Sequence, residues 1–233
     1  AFYAGIAYDA IYQELSQSER RKIAHGLKRL AMDPLLGDWI LEPTRIHSLN
    51  SMGHNWWTSC TCMGGLLALS LQNELEEARD AVKIINEVLP EWFEFAGDVL
   101  HQKPKTFDET GGMYECLNYA NYGIQEALLF RLAWMNTHKE DKAIEIPQLE
   151  KLSDFFVHIC YPRTGMLYNI NFGDSHKNTA AESSLMLLYA MGIQNDDMIW
   201  YMNQIEQGQH RDGYFIDRPI GFLYTPDLSK APK

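Results

Sequence analysis

The sequence predicts an all-α domain of antiparallel helix pairs, a partial (α/α) toroid. Apolar residues recur at spacings of three and four along most of the chain, as they do on one face of a helix. Stretches rich in Gly, Pro and Asn separate these segments and are typical of loops. The loops before alternate helices are long and share Gly, Asn, His or aromatic residues, which predicts that those helices present their N-terminal ends on one side. An α/α toroid has this arrangement, with inner and outer helices and a cleft at one end.

The helix boundaries follow from capping residues and helix breakers. Ser16 or Ser18 is expected to cap the second helix, and Pro90 predicts a bend in the fourth. Residues 34–53 predict a long irregular loop, and residues 161–178 predict a short β-turn or hairpin. The eight expected helices cover residues 1–15, 18–33, 55–72, 75–100, 113–136, 147–160, 179–191 and 195–207.

Composition restricts the class of protein. The 233 residues fit one large domain, and 46% hydrophobic with 22% charged residues is a globular composition. A net charge of −11 argues against a nucleic-acid partner, which would need clustered Lys and Arg. No apolar run reaches the roughly 18 residues needed to span a bilayer. The chain lacks an initial Met and opens within an amphipathic pattern, so we expect a single domain over 1–233 that is a fragment of a longer protein.

The four cysteines predict packing rather than chemistry. Cys60 and Cys62 form a C-x-C pair, unlike the C-x-x-C of zinc ribbons and thioredoxins. No His follows them at helical spacing, so small buried helix residues are the favoured interpretation. The sequence therefore implies no metal and no cofactor.

The first polar and aromatic cluster is His54-Asn55-Trp56-Trp57. Tryptophan faces can stack on sugar rings, although a large aromatic side chain usually lies in a core. At least one of the two tryptophans is therefore expected to be buried. Asn55 can cap a helix, or its amide can donate to a carboxylate.

The second cluster lies at an expected helix start, in the stretch DETGGMYECLNYANYG. Spacings of three and four put Glu115, Asn118, Tyr119 and Tyr122 on one face, with Tyr114 beside them. Such a face is unusually polar for a core and unusually aromatic for a solvated surface. Its hydroxyl groups could also simply face water.

The third cluster is YNINFGDSHKNTAAESS, residues 168–184. Asp174 and Ser175 are typical turn or N-cap residues. His176 and Lys177 could supply positive charge to a bound anion. A capped loop is the simpler interpretation of this stretch.

Four stretches in this order resemble the heparinase II/III-like polysaccharide lyases: HNWWTSC…GGLLAL, GGMYECLNYANYGIQEALL, NFGDS and GFLYTPDLSKAP. The resemblance spans most of the chain. It implies an α/α toroid followed by β-sandwich domains, with this chain as the later part of the toroid. It also implies cleavage of an acidic, uronate-containing polysaccharide or oligosaccharide by β-elimination, and a periplasmic or secreted location.

The resemblance implies a role for each site residue. Asn55 would neutralise the substrate carboxylate, Tyr119 would be base and acid, and Glu115 would orient or tune the site. Trp56, Trp57 and Tyr114 would be sugar platforms or their supports, and the remaining substrate-binding candidates are Asn118, Tyr122 and His176.

The chain departs from the family pattern at one position. Related lyases often place a His within or just after the Asn-Trp helix start, whereas Thr61 and Cys62 follow Cys60 here, so His54 is the candidate for that role. Some relatives also use a His from the sandwich, which predicts weak or no activity for this chain alone.

Two other functions stay open on the sequence. One is an α/α-toroid glycoside hydrolase with paired carboxylates. The other is a non-catalytic glycan-binding domain. Candidate carboxylates for the hydrolase are Asp108, Glu109, Glu115 and Asp174.

Overall fold

The computed structural model describes residues 1–41, 52–96, 105–164, 166–175, 181–208 and Tyr224, and these are mostly helical. The all-α class is therefore confirmed. The α-helices are α1 (Phe2–Ile11), α2 (Gln17–Leu27), α3 (Asp33–Leu36), α4 (Asn55–Leu71), α5 (Glu76–Glu94), α6 (Leu117–Thr137), α7 (Leu152–His158), α8 (Glu182–Ala190) and α9 (Asp196–Gly208). Shorter helical turns cover Tyr12–Glu14, Lys28–Met32, Gly37–Leu41 and Pro147–Glu150.

Ser16 is the residue that caps α2. Its hydroxyl accepts from the Glu19 backbone N–H, and the Glu19 carboxylate accepts from the Ser16 backbone N–H. These reciprocal bonds satisfy two donors at the helix end that have no partner within the helix. The local sequence signal for this helix start was therefore sufficient.

The predicted loop over 34–53 is wrong in its first part. The backbone stays helical to Leu41: α3 continues without a break from the helical turn Lys28–Met32, and Pro34 takes the second position of α3. Gly37 continues this helical backbone. Residues 42–51 lie outside the described part of the chain.

Three other predicted boundaries change. Helix α5 contains Pro90 but ends at Glu94, before the expected residue 100. Helix α6 begins at Leu117 instead of 113, because Phe107 pairs with Met113 in an isolated β-bridge and the backbone at Cys116 is extended. The expected helix over 147–160 is a short turn followed by the seven-residue α7.

The predicted hairpin is confirmed. Strands β1 (Cys160–Arg163) and β2 (Met166–Asn169) pair antiparallel, with Tyr161 opposite Tyr168. The two tyrosine rings stack with centroids 5.9 Å apart. The hairpin leads directly into the turn that carries Asp174.

Helices α4 and α6 run parallel in the core, and α5 runs antiparallel to α4. A Cβ built on Gly65 of α4 would lie 2.7 Å from Phe130 of α6 and 3.0 Å from Ile85 of α5. Near the start of α4, Ser59 donates to Glu126 of α6, and Trp92 of α5 donates to the carbonyl oxygen before α4. A toroid requires this alternation of its inner and outer helices, and closure of the toroid stays a prediction.

Within the part of the chain that the structure describes, no helix is both long enough and apolar enough to cross a membrane.

Candidate active site

Glu115 joins the N-terminal ends of α4 and α6. Its carboxylate accepts the backbone N–H of Asn55 at 2.9 Å, and the Asn55 side-chain nitrogen lies 3.1 Å from each carboxylate oxygen. The first N–H groups of a helix have no partner within the helix, and the positive end of the helix dipole favours an anion there. Sixty residues separate the pair, so this contact sets how the two helix ends meet.

The close approach of these helices requires Gly123. A Cβ at this position of α6 would lie 3.3 Å from the Asn55 Cα and 3.0 Å from the Trp92 ring. Such contacts are tighter than packed side chains normally tolerate. Gly123 thus lets α6 lie directly against the first turn of α4, one helical turn after Tyr119.

His54 is the N-cap of α4. Its Nδ1 accepts the Trp56 backbone N–H at 3.1 Å, so Nδ1 carries no proton and the neutral ring carries its proton on Nε2. The ring also meets Trp39 edge-on, with centroids 6.3 Å apart. Trp39 was missed by the sequence analysis because it falls within the segment predicted to be a loop.

The two adjacent tryptophans have opposite environments. Trp56 is 63% exposed, whereas Trp57 is 1% exposed and lies in the core. The expectation that at least one tryptophan is buried is confirmed. Trp57 cannot offer its face to a sugar in this conformation, which corrects its assignment as a platform and leaves it the role of a support.

The predicted polar face on α6 is only partly correct. Glu115 precedes the helix and turns to α4, so it shares no helical face with the other residues. Asn118, Tyr119 and Tyr122 lie in the first two turns of α6. Tyr119 and Tyr122 are 38% and 39% exposed, and Tyr114, next to Glu115, is 45% exposed.

Tyr119 has a charged partner. Its hydroxyl donates to the Asp174 carboxylate at 3.1 Å. This hydrogen bond, with the negative charge of Asp174, raises the pKa of Tyr119. Asn118 holds the same turn, since its amide nitrogen lies 3.4 Å from the Asp174 carbonyl oxygen.

The remaining candidates differ in what the structure says of them. His176, and Lys177 beside it, lie outside the described residues.

Asp108 accepts hydrogen bonds from the Thr110 N–H, the Thr110 hydroxyl and the Gly112 N–H, which hold it in a tight turn. Two of the four carboxylates considered for a hydrolase, Asp108 and Glu115, thus bind backbone N–H groups.

A buried carboxylic acid behind the site was missed. Glu126 of α6 is 7% exposed and accepts from the Ser59 hydroxyl at 2.5 Å. Burial raises the pKa of Glu126 to about 7, against hydrogen bonds from Ser59 and Thr58 that lower it. The available signal was a single charge within the apolar run GIQEALLF.

The cysteines pack as expected. Cys62 is fully buried, and Cys60 is partly buried. Burial raises the pKa of Cys60 to about 11 and that of Cys62 well above its ordinary value, so both remain thiols at neutral pH. Among the residues that the structure describes, no three His, Cys, Asp or Glu side chains are grouped to hold a metal ion.

We expect Glu115→Ala to destabilise the fold by about 2–3 kcal/mol, because it leaves a buried N–H and amide without their charged acceptor. Urea unfolding measures this change. Glu109→Ala, which removes an exposed carboxylate six positions earlier, should change the free energy of unfolding by less than about 0.5 kcal/mol. Equal effects of the two substitutions would show that Glu115 does not hold α4.

Comparisons of the chain with models of protein families, with curated proteins and with solved structures found no match. The functional assignment therefore depends on the residues at the start of α4 and α6 and on the sequence resemblance.

Proposed function

We propose that this chain carries the elimination site of a uronate polysaccharide lyase resembling the heparinase II/III-like enzymes. The observation that supports this most directly is the Glu115–Asn55 contact. It links the first turn of α4 to the start of α6, where Tyr119 is partly exposed and its hydroxyl donates to Asp174. An amide and a phenol, the two groups that syn elimination needs, thus lie at adjoining helix ends.

The chemistry explains why these residue types suit the reaction. The C5 proton of a uronate is weakly acidic because the neighbouring carboxylate is already anionic. A hydrogen-bond donor to that carboxylate stabilises the enediolate-like intermediate. A base must remove the C5 proton, and an acid must protonate the departing glycosidic oxygen. Tyr119 performs both steps in this proposal, since both bonds lie on one face of the sugar.

Asn55 has a restricted part in this scheme. Its side-chain nitrogen contacts Glu115, and the residue is only 8% exposed. An amide nitrogen carries two N–H groups, so one N–H directed at Glu115 leaves the second for a substrate carboxylate. Glu115 would then set the orientation of the amide.

Exposed aromatic rings around these helix ends support a carbohydrate ligand. Trp56 follows Asn55 directly, and Tyr114 precedes Glu115 directly. Both residues are exposed, Trp56 more than Tyr114. Tyr and Trp rings combine an apolar face with a polar O–H or N–H group. They therefore suit sugar rings, which combine C–H faces with hydroxyl groups at their edges.

The carboxylate environments favour elimination over hydrolysis. A hydrolase needs an acid and a second carboxylate about 5–9.5 Å apart across the scissile bond. Of the four candidates, Asp108 and Glu115 bind backbone N–H groups and Asp174 binds Tyr119. These three carboxylates therefore do not form a pair that is free to act on a substrate.

The test is the chemical nature of the product. We expect the chain to release a 4,5-unsaturated uronate from at least one of heparin, heparan sulfate, hyaluronate and alginate, detected by absorbance and by mass spectrometry. Turnover should be slow, so the protein is used in molar excess over a defined oligosaccharide. A saturated product carrying one added water would indicate hydrolysis and overturn the proposal. Glycan binding with no cleavage would favour a binding domain.

A further inference from the structure

The turn that carries Asp174 is built onto the start of α6. Within this turn the Ser175 N–H donates to the Phe172 carbonyl oxygen at 3.2 Å, and Gly173 has a positive φ of 57°. A Cβ on Gly173 would lie 3.2 Å from the Cys116 side chain. Glycine therefore meets both needs, the left-handed backbone and the close approach.

Two further hydrogen bonds fasten this turn to α6. The Ser175 hydroxyl accepts the Asn118 backbone N–H at 3.4 Å, and Ser175 is only 8% exposed. The Asn118 side chain reaches the Asp174 carbonyl oxygen. The Asp174 carboxylate is therefore positioned by the backbone on both sides of it, and it meets the Tyr119 hydroxyl at 3.1 Å.

This contact creates a difficulty for Tyr119 as a simple base. The hydrogen bond from Tyr119 to Asp174 favours the neutral phenol, and the negative charges of Asp174 and Glu115 act in the same direction. A substrate carboxylate would add a further negative charge. Formation of a free tyrosinate before the C5 proton is removed is thus disfavoured.

We propose that Asp174 is the positioning residue for Tyr119, orienting its hydroxyl and accepting its proton during elimination. This inference rests on the proposed function. In the first step the C5–H bond breaks and that proton passes to the Tyr119 oxygen. The original Tyr119 proton moves at the same time to Asp174 Oδ2, and the C5 electron pair spreads into the uronate carboxylate.

The second step restores both side chains. The C4–O4 bond breaks, and the electron pair at C5 forms the C4–C5 double bond. Tyr119 gives its proton to O4 of the departing sugar and takes back the proton held by Asp174. The substrate has then lost a proton at C5, the leaving group has gained one, and no tyrosinate has formed.

The test is Asp174→Asn, which keeps an acceptor oxygen but removes the proton-accepting carboxylate. We expect kcat at neutral pH to fall by about 100-fold with little change in KM, because Asp174 acts through Tyr119. The activity that remains should rise with pH, since Tyr119 must now ionise by itself. Asp174→Glu should recover part of the rate. Asp141→Asn removes the same charge beyond the other end of α6, about 30 Å away, and should leave kcat unchanged.

A second measurement examines the contact without activity. Tyrosine ring ¹³C signals are titrated by NMR, and the Tyr119 signal is identified by its loss in Tyr119→Phe. Asp174→Asn should lower the pKa of Tyr119 toward the ordinary value of about 10. An unchanged pKa would show that Asp174 does not contact Tyr119 in solution and would overturn the inference.

The kinetic outcomes separate the inference from the function on which it rests. A neutral-pH kcat that is unchanged or higher in Asp174→Asn would overturn the proton-accepting role, even if the wild-type chain is a lyase. A wild-type chain that releases only a saturated product, but whose Tyr119 pKa responds to Asp174, would instead overturn the proposed function, and the relay would fall with it.

Discussion

Tyr119→Phe is expected to reduce formation of unsaturated product by about 1,000-fold or more. In the proposed mechanism one hydroxyl both removes the C5 proton and protonates the leaving oxygen, and each such proton transfer typically contributes 10²–10⁴-fold. Phenylalanine keeps the ring and removes only this hydroxyl. The measurement is single-turnover release of unsaturated uronate, with substrate binding measured separately by calorimetry.

The matched control for this substitution is Tyr161→Phe. Tyr161 and Tyr119 are both 38% exposed, and the Tyr161 ring stacks on Tyr168 in the β1–β2 hairpin. We expect this variant to retain wild-type turnover. If Tyr119→Phe also retained it, Tyr119 would not be the base, and a mechanism based on paired carboxylates would be favoured.

Glu126→Gln is expected to stabilise the protein above neutral pH. Burial raises the pKa of Glu126 from 4.5 to about 7 in the folded chain. The folded state therefore binds the proton more tightly than the unfolded state, and stability from this group declines as pH rises between these values. Above pH 7 the buried carboxylate of Glu126 is charged in the folded chain, which lowers the free energy of unfolding by about 3 kcal/mol, at 1.36 kcal/mol for each unit of the pKa shift.

Glutamine removes this titration while its carbonyl oxygen can still accept from the Ser59 hydroxyl. The free energy of unfolding is measured in urea at about pH 5 and pH 8. The variant and the wild type should differ little at the lower pH. At the higher pH the free energy of unfolding of the variant should be greater by up to about 3 kcal/mol. Glu140→Gln, at an exposed position beyond α6, serves as the control and should give the same difference at both pH values. A gain in Glu126→Gln that does not depend on pH would contradict the assigned ionisation.

The predictions from sequence were most accurate where the signal was local. The capping box at Ser16 and Glu19, the hairpin at 160–169 and the packing of Cys62 each depend on residues close together in the chain. The all-α class follows from the same local periodicity. The error over 34–41 arose because Pro34 and Gly37 were interpreted as helix breakers, whereas both lie within the helical backbone that continues from α2 to Leu41.

The sequence by itself determined the helical class and the order of the longer helices, and it supplied the candidate residues of the site, whose roles stay predictions. Only the tertiary structure decided which of the two adjacent tryptophans is buried, because that depends on the helices packed around α4. It also decided that Glu115 binds Asn55, 60 residues away, and that Asp174 binds Tyr119, 55 residues away. The periodicity of a chain shows which face of a helix is apolar, but the partner of a polar group depends on how helix ends meet in space.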